Sequence, residues 1–227
     1  MIATLRTCGI LLSLAMLVTS PAFAGSVKLY DNYGNTNGGE FKAQVVSPLP
    51  FVPIDTVTNE RGVFETFCLE KNEYIAFDTE YFAAVGTAAL HGGLGGGDPD
   101  PLDPRTAYLY QQFVTGNLTD YAYAVGDGGV ARAASADALQ HVIWYIEEED
   151  VKTWIDGDNS LMDRYYRDAI AHAGPTIGDV RVLNLWTDAA MTQPAQDQLV
   201  LTPEPAVTAL LALGLGLGLF GRTRRGA

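Results

Sequence analysis

Cysteine is nearly absent: Cys8 and Cys68 are the only two in 227 residues. A disulfide-stapled scaffold, or a zinc site built from paired cysteines, needs more than that. Histidine is almost as scarce, and neither His91 nor His172 has a partner at metal-ligand spacing. Positive charge is short as well, with 14 Lys and Arg against 27 Asp and Glu, for a net charge of −13. That balance argues against nucleic acid or anionic lipid as a partner. Long apolar runs are missing from the interior. The two longest, residues 9–18 and 206–220, lie at opposite ends, and both fall short of the ~20 residues of an ordinary membrane span.

What is present begins at those ends. Residues 1–24 carry Arg6, then the apolar run GILLSLAMLV, then Ala22-Phe23-Ala24. This is the order of a secretory signal peptide cleaved after Ala24, so the chain is expected to be exported. At the other end Pro203-Glu204-Pro205 is followed by the apolar run 206–220 and by Arg222, Arg224 and Arg225. Those arginines would keep the end of a short membrane helix on the cytoplasmic side. The three parts in this order resemble the PEP-CTERM sorting signal of bacteria. The resemblance implies recognition of Pro203, Glu204 and Pro205 by an exosortase, and release or attachment at the cell surface. Residues 25–202 are then one domain by length. Four of the basic residues sit in the terminal segments, whereas only Glu204 of the acidic ones does, so the exported part is more acidic still.

Within the domain, residues 26–30 (SVKLY), 41–46 (FKAQVV), 63–69 (VFETFCL) and 74–77 (YIAF) read as strands, with the turn-rich NYGNTNGG between the first two. A glycine-rich acidic loop, GGLGGGDPDPLDP, follows at 92–104. Residues 105–114 predict a helix stopped by Gly116. The strongest helix is expected over 135–149, with Leu139, Val142, Ile143 and Ile146 on one face. A third starts at Asn159 or Ser160 and runs through His172. Residues 179–186 and 198–202 return to strand. The expected class is α+β, with sandwich- or barrel-like strands at both ends of the domain and three helices inserted between them.

Cys68, flanked by Phe67 and Leu69, can be a small buried hydrophobe or a reactive thiol. Gln140, in ALQHVIW, puts an amide in the apolar part of the strongest helix, one turn from Trp144. A strand Phe-Cys-Leu-Glu followed by a helical Leu-Gln-x-Val-Ile-Trp resembles the bacterial thioester domain family of the TQXA type. Leu139 stands where that motif has threonine, and Val142 where it has alanine. The resemblance implies an intramolecular thioester between Cys68 and Gln140. It also implies covalent attachment to an amine-bearing surface or matrix target, as an adhesin that is used once and is not an enzyme. No cofactor and no metal are implied, and a membrane enters only through the sorting helix. The alternative is a non-covalent, exopolysaccharide- or biofilm-matrix-associated structural protein in which Cys68 and Gln140 are core residues. A cysteine hydrolase would need a Cys–His pair with an orienting acid, and no local motif supplies one.

Other residues carry weaker signals. His141 and Trp144 could line the second shell of the crosslink, although His141 points about 100° away from Gln140 on an ideal helix. Gln111 and Gln112 are rival glutamines without the aliphatic–aromatic run. The stretch DGDNS at 156–160 lacks the spaced glutamate of a calcium loop and reads as a capping turn. Asp98, Asp100 and Asp103 read as a solvated loop, and EEED at 147–150 as a solvated helix end.

Overall fold

The computed structural model describes residues 25–34, 38–49, 60–90 and 93–202. The signal-like segment, Pro203, Glu204 and Pro205 with the tail behind them, and His91 lie outside the described residues. The class is α+β: one large antiparallel sheet, a two-stranded ribbon and three helices.

The sheet runs in the order β3 (Val63–Thr66), β2 (Phe41–Ser47), β1 (Gly25–Asp31), β4 (Glu80–Gly86), β7 (Val180–Trp186), β8 (Pro194–Leu201). All neighbours are antiparallel. The ribbon is β5 (Ala88–Ala89) with β6 (Asp100–Pro101). The helices α1 (Pro104–Val114), α2 (Val130–Ile146) and α3 (Leu161–His172) fill the chain between β6 and β7. Strands therefore flank an inserted helical part, as the sequence predicts.

Local chemistry explains the boundaries. Asp103 accepts the Arg105 N–H and Pro104 opens α1, while Gly116 at φ +73° follows its end. Ser160 caps α3 by accepting the Asp163 N–H. Asp163 in turn accepts the N–H groups of Gly157 and Asn159, so DGDNS is the capping turn expected of it. Helix α2 starts five residues before the expected Ser135. The Asp127 carboxylate accepts from Gly129 and Ala131, and Ser135 bonds back to the Ala131 carbonyl inside the helix.

The strand expected over 63–69 stops at Thr66, the one expected over 198–202 already begins at Pro194, and a third expectation fails. Residues 74–77 form no strand: Tyr74 is 82% exposed, and Asp78 turns the chain at φ 58°. The strand forms three residues later, as β4. Its sequence EYFAAVG is poor in β-branched residues, but it is bonded on both edges by β1 and β7.

The two faces of the sheet are buried differently. Val27, Leu29, Phe64, Tyr81, Leu183 and Val200 form one core among the strands themselves. Phe67, Leu109, Phe113, Leu139, Ile143 and Leu199 form a larger one between strands and helices. At roughly 1.5–3 kcal/mol per buried large apolar side chain, this second core is what holds the helical layer on the sheet, with α1 against β7 and β8 and α2 against α3 and α1.

The chain beyond β3 decides where Cys68 lies. Thr66 Oγ1 donates to the Leu199 carbonyl at 2.7 Å, Leu199 N to the Phe67 carbonyl at 3.0 Å, and Leu69 N to the Asp197 carbonyl at 3.1 Å. Cys68 pairs with Gln198 across an isolated bridge. The segment that meets β2 on one edge thus meets β8 on the other, and Cys68 sits on it facing α2. Among the described residues no helix is long and apolar enough to cross a membrane.

Candidate functional site

The sheet brings Cys68 to α2, and the glutamine it meets there is Gln140. Cys68 is fully buried and Gln140 is 1% exposed, although they are separated by 72 residues in the chain. The Cys68 thiol donates to Gln140 Oε1 at 3.2 Å. The same oxygen accepts two backbone N–H groups, from Gly39 and from Cys68, each at 3.2 Å. The amide nitrogen donates to the Cys68 carbonyl at 2.8 Å. Every polar atom of this buried side chain is therefore used, as burial requires.

The arrangement has a chemical reading as well as a structural one. Two backbone N–H groups aimed at one amide oxygen are the donors that stabilise charge when a nucleophile adds to the carbonyl carbon. Among the described residues, the nucleophile in contact with this amide is the Cys68 Sγ, 3.2 Å from Oε1. Burial holds the thiol pKa well above its ordinary value, and the nearby Glu70 carboxyl adds to this. The N–H groups of Cys68 and Gly39 and the Trp144 indole pull the other way. The thiol is thus protonated at neutral pH, and attack requires its proton to move as the C–S bond forms.

The surroundings keep water out on one side. Phe41, Cys68 and Trp144 form a small apolar cluster, and the Trp144 Nε1 hydrogen is buried without a regular hydrogen bond. Gly38, at φ +121°, passes so close that a Cβ would lie 2.6 Å from the Trp144 ring and 2.9 Å from Gln140 Cγ. Beyond Trp144 opens a cleft of about 500 Å³, lined among others by Phe41, Lys71, Tyr74, His141 and Gln196. His141 is thus at the cleft and not against Gln140. Its ring meets Trp144 edge-on at 5.6 Å, and its nitrogens lie 3.8 Å from Asp150 and 3.9 Å from Asp137. Lys71 reaches into the same cleft and pairs with Asp150.

Of the remaining candidates, Gln111 and Gln112 sit half-buried on α1, with Gln111 Oε1 turned toward Gly178. His172 is largely exposed and bonds to Asp168. Asp103 caps α1. No group of three or more metal-ligating side chains comes together among the described residues. The EEED stretch is a correction, because Glu147 and Glu149 are buried. Glu149 accepts from Lys71, Leu94 and Gly95, which fastens the glycine loop to the chain just after Cys68. Glu147 accepts from Asp103 N, and burial pushes its pKa up to about 8. Just past the end of α2 these two acids turn inward because backbone N–H groups of residues 71, 94, 95 and 103 are there to receive them.

Sequence reasoning missed the Gly39 donor and the close approach of Gly38, which looked like an ordinary turn, and missed Glu70. Glu70 Oε2 accepts the Asp197 N–H at 2.8 Å, while Oε1 is buried without a partner. Asp197 accepts from Leu90, Leu185 and Asn184. Burial and Asp197 raise the Glu70 pKa far above the carboxylate range, so Glu70 carries the proton. The folded chain then holds a proton that the unfolded chain loses near pH 4.3. The stability this gives is complete below that pH and falls as pH rises toward the folded value. Glu70→Gln, which stays neutral without binding a proton, is expected to flatten this decline, so that it loses less stability than the wild type as pH rises. Urea midpoints measured from pH 5 to 9 test it, and a variant that tracks the wild type at every pH would refute the assignment.

Comparison of the chain with known protein families, with curated proteins and with solved structures returns no match.

Proposed function

We propose that this is an exported, surface-sorted protein whose Cys68 and Gln140 join in an internal thioester, and that the thioester attaches the protein covalently to amine groups of a surface or matrix target. The observation that carries the reading is the set of contacts on Gln140 Oε1: two N–H donors and the thiol, all at 3.2 Å. Those contacts would hold the amide where Sγ can add to its carbon.

The reaction balances within the pair. Sγ bonds to the Gln140 Cδ, the C–N bond breaks, and the thiol proton leaves with the nitrogen as ammonia. A primary amine later adds to the same carbon, the C–S bond breaks, and the thiolate takes a proton from the amine. The product is an amide between Gln140 and the target, with Cys68 free again. The chain is consumed, so it acts once and does not turn over.

The finer architecture belongs to this reading. The bonds of residues 66–69 to β8, next to the pairing of 63–66 with β2, support a barrel-like closure of the sheet that would hold the Cys68 segment in place for a crosslink to α2. The signal peptide, the PEP-CTERM tail and its exosortase are part of the same proposal, resting on residues 1–24 and 203–227 of the sequence.

Intact mass of the exported protein tests the proposal. The expected mass is lower than calculated by one ammonia, and no thiol should react with an alkylating agent after denaturation. Methylamine should then add once and release one thiol. A full calculated mass with a titratable thiol would leave Cys68 and Gln140 as core residues of a non-covalent matrix protein.

A further inference from the structure

The donors on Gln140 Oε1 come from two segments far apart in sequence, and one buried side chain grips both. Arg132 lies on α2, two turns and about 12 Å before Gln140. It is 2% exposed. Its Nε and Nη2 donate to the two carboxylate oxygens of Glu40, at 3.0 and 2.6 Å. Nη2 also bonds to Glu65, and Nη1 donates to the Tyr123 carbonyl at 3.1 Å. Glu40 follows Gly39 directly, and Glu65 stands on β3 three residues before Cys68. Both N–H groups on the amide oxygen thus belong to backbone that Arg132 pins through a neighbouring glutamate.

Glu40 is fixed further. It accepts Asn32 Nδ2 at 2.8 Å and the Tyr121 hydroxyl at 2.6 Å, and its carbonyl accepts the Gly34 N–H at 3.0 Å. The Tyr110 hydroxyl holds the Glu65 carbonyl at 2.8 Å. The Tyr33 ring covers the guanidinium, with its centroid 4.5 Å away.

Stability alone does not account for such a network. Replacing a buried ion pair with apolar side chains is often neutral or stabilising. What the pair does supply is registry. The planar guanidinium fork fits a carboxylate in one orientation only. It ties α2, which carries the electrophile, to both strips of backbone that carry the donors.

We infer that Arg132 is the positioning residue for thioester formation, holding the Gly39 and Cys68 N–H groups on Gln140 Oε1 through Glu40 and Glu65. This inference rests on the thioester reading and adds to it the element that aligns the donors. Arg132 touches neither reacting atom, so its removal should act on the rate of bond formation per folded molecule.

The test starts from full-length chain recovered unfolded from inclusion bodies with Gln140 intact, and follows ammonia loss by mass during refolding. Arg132→Lys keeps the charge but loses the fork. It is expected to fold and to close the thioester roughly 100-fold more slowly, the scale of an ångström-level misplacement. Glu40→Gln, which preserves the shape of the side chain, serves if Arg132→Lys does not fold, and the same slowing is expected. Val27→Ala, a change on β1 in the separate core among the strands, lowers the melting temperature but should leave the rate per folded molecule at the wild-type value. Variants that fold and close at the wild-type rate overturn the positioning role while the thioester stands. A wild-type chain that never loses ammonia overturns the thioester reading, and the positioning role with it.

Discussion

Gln140→Ala and Cys68→Ala are each expected to abolish the mass deficit and the methylamine adduct completely, because each removes one of the two atoms that join. Their effects on stability should differ. Cys68→Ala deletes a small buried sulfur, and the Gln140 amide keeps its bonds to Gly39 N–H, Cys68 N–H and the Cys68 carbonyl. A loss of roughly 1 kcal/mol is expected, near the low end for a small core truncation. Gln140→Ala instead strands two N–H groups and a carbonyl in the interior. Each stranded group costs about 1–3 kcal/mol, so a loss of at least about 3 kcal/mol is expected in total. Urea unfolding of both variants beside wild type opened with methylamine, which again has a free thiol and an amide at 140, separates the chemical role from the structural one. Equal destabilisation by the two would mean that the donors are satisfied by water and are not held on the amide.

The second large effect is expected at Gly38. Its φ of +121° is open to glycine alone, and a Cβ there would lie 2.6 and 2.8 Å from two Trp144 ring carbons and 2.9 Å from Gln140 Cγ. No flexible side-chain end is available to yield, because the ring is held between Phe41 and Cys68. Gly38→Ala should therefore cost about 2–4 kcal/mol, adding backbone strain to overpacking. It should also push Gly39 off the amide oxygen, so that the folded fraction forms little thioester. Denaturation and intact mass on the same sample check both halves. A folded Gly38→Ala chain with a complete mass deficit would show that Gly39 is not needed as a donor.

The sequence revealed the pair but not the frame around it. Cys68 stood out because cysteine is so rare, and Gln140 because an amide sat on an apolar helix face. Leu139 and Val142, where the thioester motif has threonine and alanine, are both fully buried in the core between helices and sheet. A threonine hydroxyl at 139 would face that core, and the amide oxygen takes its donors from backbone instead. Backbone donors leave no residue signature, so Gly38 and Gly39 looked like a turn. Arg132 and Glu40 were invisible for a related reason: a buried ion pair is spelled with the same letters as a solvated one. The same ambiguity hid Glu147 and Glu149, whose partners are loop N–H groups more than 40 residues away. Strand β4 was missed because pairing on both edges can hold an alanine-rich segment that propensity alone would not.

The hydrogen bond from Gln140 Nε2 to the Cys68 carbonyl has one more consequence. In the proposed thioester that nitrogen is gone, and the carbonyl, 2.8 Å from where the nitrogen stood, has lost its donor inside the core. Attack by a primary amine restores an N–H at that position. Attack by an alcohol leaves an ester with no hydrogen to give, and attack by water leaves a carboxylate facing the carbonyl's lone pairs. One main-chain oxygen thus ranks the possible products, with the amide favoured over the ester and the acid, before any target has touched the surface.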